Sequence, residues 1–240
     1  MNAKPPRFCD KLLPNQPEYS RDFRGTDHAV ALYDAICRSS GICDPHEEFK
    51  VEDSEKFTQA EMGSNPVSLR FMQMLIGLAG VKRVLEIGTF VGVSAMYFAK
   101  ALPSFGEVLT IEKFERFAEV ARRNFAANDL SDKIKLLKGD AFEVIDTLPR
   151  DRLFDLIFID GNKERYLDYF LKTVPLLSPR GLIVVDDCFF HGDALNDVPT
   201  NEKGRGARAF LDHAATRRDF RRIALPLSNG IMIMWRADES

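Results

Sequence analysis

The chain has 240 residues, a length that suits one large α/β domain with an extension better than two average domains. Hydrophobic residues make up 45% of it and charged residues 29%, and no apolar run approaches the roughly 20 residues of a membrane span, which excludes a disordered or membrane-spanning chain. The formal net charge of −3 excludes a molecule-wide basic field of the kind that attracts nucleic acid.

Residues 1–60 are predicted to be an N-terminal extension. Residues 1–26 are polar, with three prolines before position 17 and no apolar signal segment, which predicts an irregular arm and a cytoplasmic location. Residues 27–41 predict a helix with one apolar face that ends at Gly41. Residues 44–61 are acidic and weakly patterned, which indicates a loop or a short helix.

The regular part of the chain begins with a helix predicted after Pro66, because Asn65 or Ser64 can cap it and proline suits the first helical position. From residue 81 onward, apolar strand patterns alternate with helical ones. The predicted strands are VKRVLEIG, EVLTIE, KIKLLKGD, LFDLIFID, GLIVVDD, RRIALPL and GIMIMWRA.

This alternation predicts the fold class, which is α/β and doubly wound, with a mostly parallel seven-stranded sheet and helices on both faces. The last two strands are separated by only Ser228–Gly230, which is too short for a parallel crossover. They are therefore predicted to form a C-terminal antiparallel hairpin.

The turn after the first strand has the features of a ligand site. Gly88 and Gly92 let the backbone approach a ligand, but their GxxxG spacing differs from the GxGxxG of dinucleotide folds and weakens an NAD interpretation. Glu112 ends the second strand 24 residues after Gly88, near the spacing at which an acid binds a ribose diol, and a cap of the next helix is an equal alternative. With Asp140 and Ala141 at a third strand end, these residues predict an adenosine-sized cleft.

Two further predicted strands end in carboxylates. Asp160 follows one strand, and Asp186 with Asp187 follows the next, so neighbouring strands would bring all three to one edge of the sheet. Like charges this close raise at least one pKa, and a divalent cation that prefers oxygen, such as Mg²⁺, removes the conflict. Two alternatives stay open: the aspartates could cap turns or helices, and adjacent strand residues point to opposite faces unless the chain twists there.

The segments LEIGTFVGVS, LTIE, FIDGNKERYLDY, GLIVVDD and LPLSNGIMI, in this order, resemble the cation-dependent O-methyltransferases of caffeoyl-CoA and catechol type, which use S-adenosylmethionine. The resemblance covers about 62–236 and implies a class I methyltransferase domain at 61–240, with residues 1–60 covering the site. It implies the metal ligands Asp160, Asp186 and Asp187 and the catalytic residues Lys163, as general base, and Asp160. The cofactor-binding residues are expected to be Ser64, Glu86, Gly88, Thr89, Ser94, Glu112, Asp140, Ala141 and Asp160.

The same resemblance leaves the acceptor open. Asp187 stands where the family usually has asparagine, and Pro226 stands where the catechol enzymes have a glutamate, as in the caffeoyl-CoA branch. Residues 1–60 and the loop 188–206, which cover the acceptor in the family, match no branch. We expect a small-molecule hydroxyl acceptor in secondary metabolism, a vicinal diol or an α-hydroxy acyl group, free or carrier-protein-bound, and a homodimeric enzyme without membrane or nucleic-acid partners.

Other functions remain open on the sequence alone. The basic stretch Arg217–Arg222 could dock an RNA substrate such as tRNA for methylation, although a solvated helix end is the simpler interpretation. The fold could also serve a non-catalytic nucleotide-binding module or a dehydrogenase. The four cysteines have no CxxC spacing, which predicts reduced thiols rather than a zinc site.

Overall fold

The structure, a computed structural model, describes the backbone of residues 26–237 and the side chains of residues 33–237. It contains two compact units, Met1–Cys43 and Asp44–Ser240. In the first unit, the predicted helix is present as α1 (Thr26–Ser40), and Gly41 follows it with the left-handed φ of 61° that ends a helix. Apart from Thr26, the predicted irregular arm lies outside the described residues.

The second unit is built on a sheet that, within the described part of the chain, has seven strands in the order β3-β2-β1-β4-β5-β7-β6. The first five in this order are parallel, and β7 is antiparallel to both β5 and β6. The predicted fold class and C-terminal hairpin are therefore confirmed. The strands are β1 (Arg83–Ile87), β2 (Glu107–Glu112), β3 (Ile134–Lys138), β4 (Phe154–Ile159), β5 (Leu177–Val185), β6 (Phe220–Leu225) and β7 (Ile231–Arg236).

Helices alternate with these strands, as the sequence pattern predicted. After β3 and after β4 the α-helices are short and are joined to 3₁₀ turns at Ile145–Thr147, Lys163–Arg165 and Val174–Leu176. Pro175 has no N–H to continue the hydrogen bonding of the preceding α-helix. The α-helices are α2 (Pro45–Glu48), α3 (Gln59–Met62), α4 (Pro66–Ala79), α5 (Val93–Ala101), α6 (Glu115–Ala127), α7 (Ala141–Val144), α8 (Tyr166–Thr173) and α9 (Glu202–Thr216).

Helix α4 begins and ends as its sequence predicts. The side chain of Asn65 accepts a hydrogen bond from the N–H of Val67 at 2.9 Å, and Pro66 occupies the first helical position. Gly80 ends the helix in the left-handed region, with φ 63°. The buried face of α4 stops short of Ala79, because the last turn of the helix is exposed to solvent.

The core has two layers, one on each face of the sheet. Alternate residues of the central strands point to opposite faces, so Val84 joins the layer under α4, α5 and α6, whereas Leu85 joins the layer under α8 and α9. Both layers are rich in β-branched and aromatic residues, which accounts for the near-continuous apolar strands. No helix among the described residues is long and apolar enough to cross a lipid bilayer.

This topology places the ends of the parallel strands where a ligand can bind. Strands β1 and β4 are neighbours, and the chain winds outward from them in opposite directions. Ligands of open α/β sheets bind outside the carboxyl ends of the strands at such a reversal. The segments after β1, β2, β3 and β4 therefore meet at one edge of the sheet.

Candidate active site

The carboxyl edge of the sheet carries a cavity of about 580 Å³. It is lined by residues that follow β1, β2, β3 and β4 and by the segment before α4. Nine of the predicted site residues lie in its wall: Ser64, Gly88, Thr89, Ser94, Glu112, Asp140, Ala141, Asp160 and Lys163. Glu86, Asp186 and Asp187 are outside the wall.

Close backbone packing at the centre of the site requires a glycine at position 88. Its φ is 95°, and a Cβ atom built on it would lie 2.4 Å from the carbonyl oxygen of Asp160. The segments after β1 and β4 therefore touch at the reversal point. This contact brings Asp160 beside the glycine turn and into the cavity wall.

Glu112 connects the glycine turn to the next helix. Its carboxylate accepts backbone hydrogen bonds from Thr89 at 3.3 Å, Phe90 at 2.9 Å and Phe114 at 2.9 Å. Burial raises the pKa of Glu112 despite these bonds. The N-cap position of α6 belongs to Phe114, so Glu112 holds the turn in shape while also lining the cavity.

Aromatic residues at this end of the cavity were not predicted as site residues. Phe90 and Phe114 each pack edge-on against Phe117, with ring centroids 5.0 Å and 5.9 Å apart, and all three line the cavity. Phe114 precedes the first turn of α6, and 49% of its surface is exposed. Its position two residues after the strand-ending Glu112 is the signal that could have identified it.

Asp140 has a structural partner on each side. Its carboxylate accepts the N–H of Phe142 at 3.0 Å, which caps α7, and it pairs with Lys113 at 2.9 Å. The ion pair lowers the pKa of Asp140. This edge of the cavity is therefore polar and nearly neutral in charge.

Glu86 lies behind the glycine turn and is fully buried. One carboxyl oxygen, Oε2, accepts the hydroxyl of Thr110 at 2.5 Å, and the other has no hydrogen-bond partner among the described residues. Burial raises the pKa of Glu86 to about 8. Glu86 is therefore a protonated acid at neutral pH, beneath the cavity rather than in its wall.

Lys163 lies between two of the three clustered aspartates. Its Nζ is 2.7 Å from Oδ1 of Asp160 and 3.3 Å from Oδ2 of Asp187. Burial disfavours the ammonium form, but the two carboxylates outweigh it and raise the pKa of Lys163 well above its usual value. Lys163 is thus firmly protonated here, and a role as base needs another cation to take up part of this negative charge.

Asp186 is the most buried member of the cluster, with 3% of its surface exposed. Burial, together with the charges of Asp160 and Asp187, raises its pKa to about 8. Asp187 has a left-handed φ of 52°, so the chain leaves the strand direction directly after β5. This turn puts both aspartates on the side of Asp160, which the alternation of a regular strand would not allow.

The turn at Asp187 is bound to the last hairpin of the sheet. The backbone N–H groups of Cys188 and Phe189 donate to the carbonyls of Gly230 and Asn229, at 2.9 Å and 2.8 Å. Gly230 has a φ of 89°, and a Cβ atom there would lie 2.2 Å from the Phe189 ring. The β6–β7 turn therefore fixes the position of the acidic turn.

The donor chemistry of this cluster fits a hard divalent cation, although the side chains do not form a finished ligand set. Carboxylate oxygens are the ligands that Mg²⁺ prefers, and burial together with the neighbouring charges of Asp160 and Asp187 raises the pKa of Asp186. Over residues 33–237, no group of three or more His, Cys, Asp or Glu side chains is arranged around one point. The ammonium of Lys163 instead balances Asp160 and Asp187.

The strand order and the glycine turn backed by Glu112 define a class I methyltransferase site. The sequence profile of the O-methyltransferase family matches residues 45–237, so the chain belongs to that family, as the resemblance implied. It is similar to a catechol O-methyltransferase of Niastella koreensis, with 34% identity over 63% of this chain and 72% of the relative. It is also similar to caffeoyl-CoA O-methyltransferase 2 of Zea mays, with 31% identity over 70% of this chain and 67% of the relative.

Solved structures support the same assignment. The O-methyltransferase TomG of Streptomyces achromogenes, in complex with S-adenosylmethionine, is 28% identical over 74% of this chain and 82% of that chain, with a TM-score of 0.69. The methyltransferase PaMTH1 of Podospora anserina, bound to S-adenosylhomocysteine, shares the fold with a TM-score of 0.77 over 89% of this chain and 97% of that chain, at 24% identity. The protein is an S-adenosylmethionine-dependent O-methyltransferase.

The structure gives no support to an RNA-docking role for the basic stretch. Arg217 pairs with Asp219 at 2.5 Å, and the guanidinium of Arg222 donates to the carbonyls of Ala215 and Arg217 at 2.7 Å and 3.0 Å. Two of the four arginines in the stretch therefore hold the end of α9 and the start of β6.

The cytoplasmic location stays a prediction, as does the boundary at residue 60 between the N-terminal extension and the methyltransferase domain.

Proposed function

We propose that this enzyme methylates one hydroxyl of a small molecule that carries a second oxygen beside it, a catechol-like or α-hydroxy acyl compound, and that it needs a divalent cation, with Mg²⁺ the first choice. The observation that carries the proposal is the placement of Lys163 between Asp160 and Asp187 at the cavity, with Asp186 buried next to them. The names of the catechol and caffeoyl-CoA relatives support this acceptor class.

Asp160, Asp186 and Asp187 are the residues that would hold the cation. A bound divalent ion lowers the pKa of a chelated hydroxyl and fixes its orientation. Asp187 in place of the family's usual asparagine adds one negative charge to this ligand set. We therefore propose that it changes the choice between Mg²⁺ and other hard cations such as Mn²⁺ or Ca²⁺.

Lys163 would accept the hydroxyl proton at Nζ. Its high pKa comes from Asp160 and Asp187, so it falls when those two carboxylates neutralise a cation instead of the ammonium. The acceptor oxygen would then take the methyl group, with the O–C bond forming as the S–C bond of the sulfonium breaks. Charge is lost in this step, so alignment and exclusion of water are the main tasks of the cavity wall.

Secondary metabolism and carrier-bound acceptors belong to the same proposal. TomG, one of the similar solved proteins, is described as involved in tomaymycin synthesis, which supports a biosynthetic role.

We also propose that the enzyme is a homodimer in the cytoplasm. Light scattering of the purified full chain tests the dimer, and a monomer at micromolar concentration would contradict it.

The test of the proposed function is methyl transfer with and without a chelator. With S-adenosylmethionine and a panel of catechols and α-hydroxy acids, we expect product with Mg²⁺, no product after EDTA, and recovery when Mg²⁺ is returned. D160N should lose both the activity and Mn²⁺ binding measured by electron paramagnetic resonance. D151N is the matched control, because Asp151 is exposed and distant in the fold from the cavity wall.

Two outcomes would contradict different parts of the proposal. Full activity in EDTA would remove the cation and leave methyl transfer intact. Absence of methylation for every diol and hydroxy acid, with cofactor and cation bound, would reject the acceptor class.

A further inference from the structure

Lys203 is a cation of the cavity wall that has no partner among the described side chains, residues 33–237. It lines the same cavity as Lys163, and its ammonium makes no hydrogen bond, ion pair or ring contact with any described residue. The other cations of the wall are engaged: Lys113 pairs with Asp140 at 2.9 Å, and Lys163 pairs with Asp160 at 2.7 Å. The guanidinium of Arg165 stacks over the ring of Phe142, with its centre 4.7 Å from the ring centroid.

The position of Lys203 relative to Lys163 is set by a close backbone contact. Gly206, one helical turn after Lys203 in α9, packs so tightly that a Cβ atom on it would lie 2.4 Å from the carbonyl oxygen of Lys163. It would also lie 2.5 Å from Cα of Glu164. Residues three apart share one face of a helix, so Lys203 lies on the face of α9 that rests on the Lys163 turn.

The first turn of α9 is also fixed from its other side. Asp193 accepts hydrogen bonds from the N–H of Thr200 at 2.9 Å and from the side chain of Asn201 at 3.0 Å. Asn201 caps the helix by accepting the N–H of Gly204 at 3.0 Å. The backbone that carries Lys203 is therefore well defined, and only its side chain is free to meet a ligand.

The acid that follows Lys163 has its own partner. Glu164 also lines the cavity, and its carboxylate accepts a hydrogen bond from the side chain of Asn162 at 3.4 Å. The charge of Lys203 is thus left for a group that enters the cavity. The ammonium of Lys203 is a point charge with three donors, which can pair with a singly charged carboxylate.

We propose that Lys203 binds a carboxylate carried by the acceptor and selects anionic catechols over neutral ones. This inference rests on the proposed function, because it assumes that the hydroxyl to be methylated lies at the Asp160 and Lys163 end of the cavity. The carboxylate then lies at the wall formed by α9. Lys203 is a binding and specificity residue in this arrangement, and it takes no part in proton or methyl transfer.

The test compares three acceptors that share the catechol ring and carry an anionic, a neutral or a cationic substituent: protocatechuate, its primary amide and the corresponding dihydroxybenzylamine. We expect the wild type to prefer protocatechuate, and K203Q to raise its KM by about two- to fivefold, as for the loss of one exposed ion pair, with kcat little changed. The amide should be unaffected. K203E should reverse the order and favour the benzylamine.

R205Q is the matched control, since Arg205 lies in the same turn of α9, is exposed, and is absent from the cavity wall. Calorimetric titration of protocatechuate into the enzyme with S-adenosylhomocysteine and Mg²⁺ gives a readout independent of turnover. It should show weaker binding in K203Q and wild-type binding in R205Q.

The kinetic results distinguish a failure of the role of Lys203 from a failure of the proposed function. Equal KM changes for protocatechuate and the amide in K203Q, or no change in either, would overturn the role of Lys203 while the proposed function stands. Methylation of none of the three acceptors by the wild type would instead count against the proposed function. A K203E enzyme that keeps the wild-type preference would also overturn the inference.

Discussion

At the scale of single residues, the burial of Glu86 has the clearest energetic consequence. The carboxyl accepts the hydroxyl of Thr110 and has no exposed surface, so burial favours its neutral form. Its pKa of about 8 in the folded chain lies above the ordinary value of 4.5. Folding therefore retains a proton on Glu86 across the pH range between these two values.

This retained proton predicts how stability depends on pH. Stability from Glu86 is fully present below its unfolded pKa and is lost as the pH rises through the folded pKa, by up to about 1.4 kcal/mol per pH unit between the two. E86Q replaces the neutral acid with a neutral amide that does not titrate. The free energy of unfolding of E86Q should therefore rise relative to that of the wild type as the pH rises from about 5 to about 9. Urea unfolding of both proteins across this range measures the difference, and parallel pH profiles would contradict a protonated Glu86.

Some site residues could be predicted from local sequence and others could not. Gly88 and Asp160 follow apolar strands directly, so the strand pattern alone places them at the sheet edge. Lys203 and Gln59 line the same cavity but belong to segments far from those strands, and no local pattern predicts that contact. The pairing of Lys163 with Asp187 likewise depends on a left-handed residue that the sequence does not reveal.

At the scale of elements, the close packing of α9 against the turn at Lys163 predicts that a side chain at position 206 is destabilising. G206A places a methyl group 2.4 Å from a backbone oxygen, a contact that only movement of α9 or of the Lys163 turn can relieve. Overpacking of this kind costs about 1 to 3 kcal/mol. We expect a lower free energy of unfolding and reduced methyl transfer, measured by urea unfolding and initial rates.

G77A is the matched control for that substitution. Gly77 also lies inside a helix, α4, but a Cβ atom there meets nothing within 4 Å. Alanine should therefore raise stability by about 0.5 to 1 kcal/mol through its better helix propensity. If G206A matched G77A in stability and activity, the close packing of α9 against the turn at Lys163 would be refuted.

The elements that could be predicted from sequence are those with local signals. The caps of α4 and the short turn before β7 depend on residues adjacent in the chain, and both are confirmed. The division of residues 163–177 into 3₁₀, α and 3₁₀ pieces was not predicted. It depends on how Tyr166 and Phe170 fill the space beneath α9, which is a property of packing rather than of periodicity.

At the scale of the whole molecule, the cavity links ligand binding to global stability because its wall comes from four strand ends of one sheet. S-adenosylhomocysteine at a hundred times its Kd should add about 2.7 kcal/mol to the free energy of unfolding, which raises the Tm of a domain this size by roughly 5 to 10 °C. NAD is the control, and it should leave the Tm unchanged. A shift with NAD but none with S-adenosylhomocysteine would contradict the assignment of the cavity.

The fold class could be predicted because the alternation of strands and helices runs through most of the chain. The attachment of residues 44–60 could not, since it depends on contacts between distant residues. Asn124 of α6 binds the backbone of Glu52 at 2.8 Å and 3.0 Å, and the ring of Phe49 packs against that of Tyr97 within the core, with the two planes at 59°. The segment that contains Glu52 and Phe49 has no periodic pattern of its own.

The hydrogen bonds between the turn at Asp187 and the β6–β7 hairpin can form only late in translation. The strand ends around Gly88 and Glu112 emerge first, whereas the turn at Asp187 acquires its backbone partners, Asn229 and Gly230, some 40 residues after it has been translated. A nascent chain arrested before the hairpin would contain every candidate catalytic residue and lack the backbone partners that fix the turn at Asp187. Premature stop codons between β5 and β6 are thus expected to separate ligand retention from turnover.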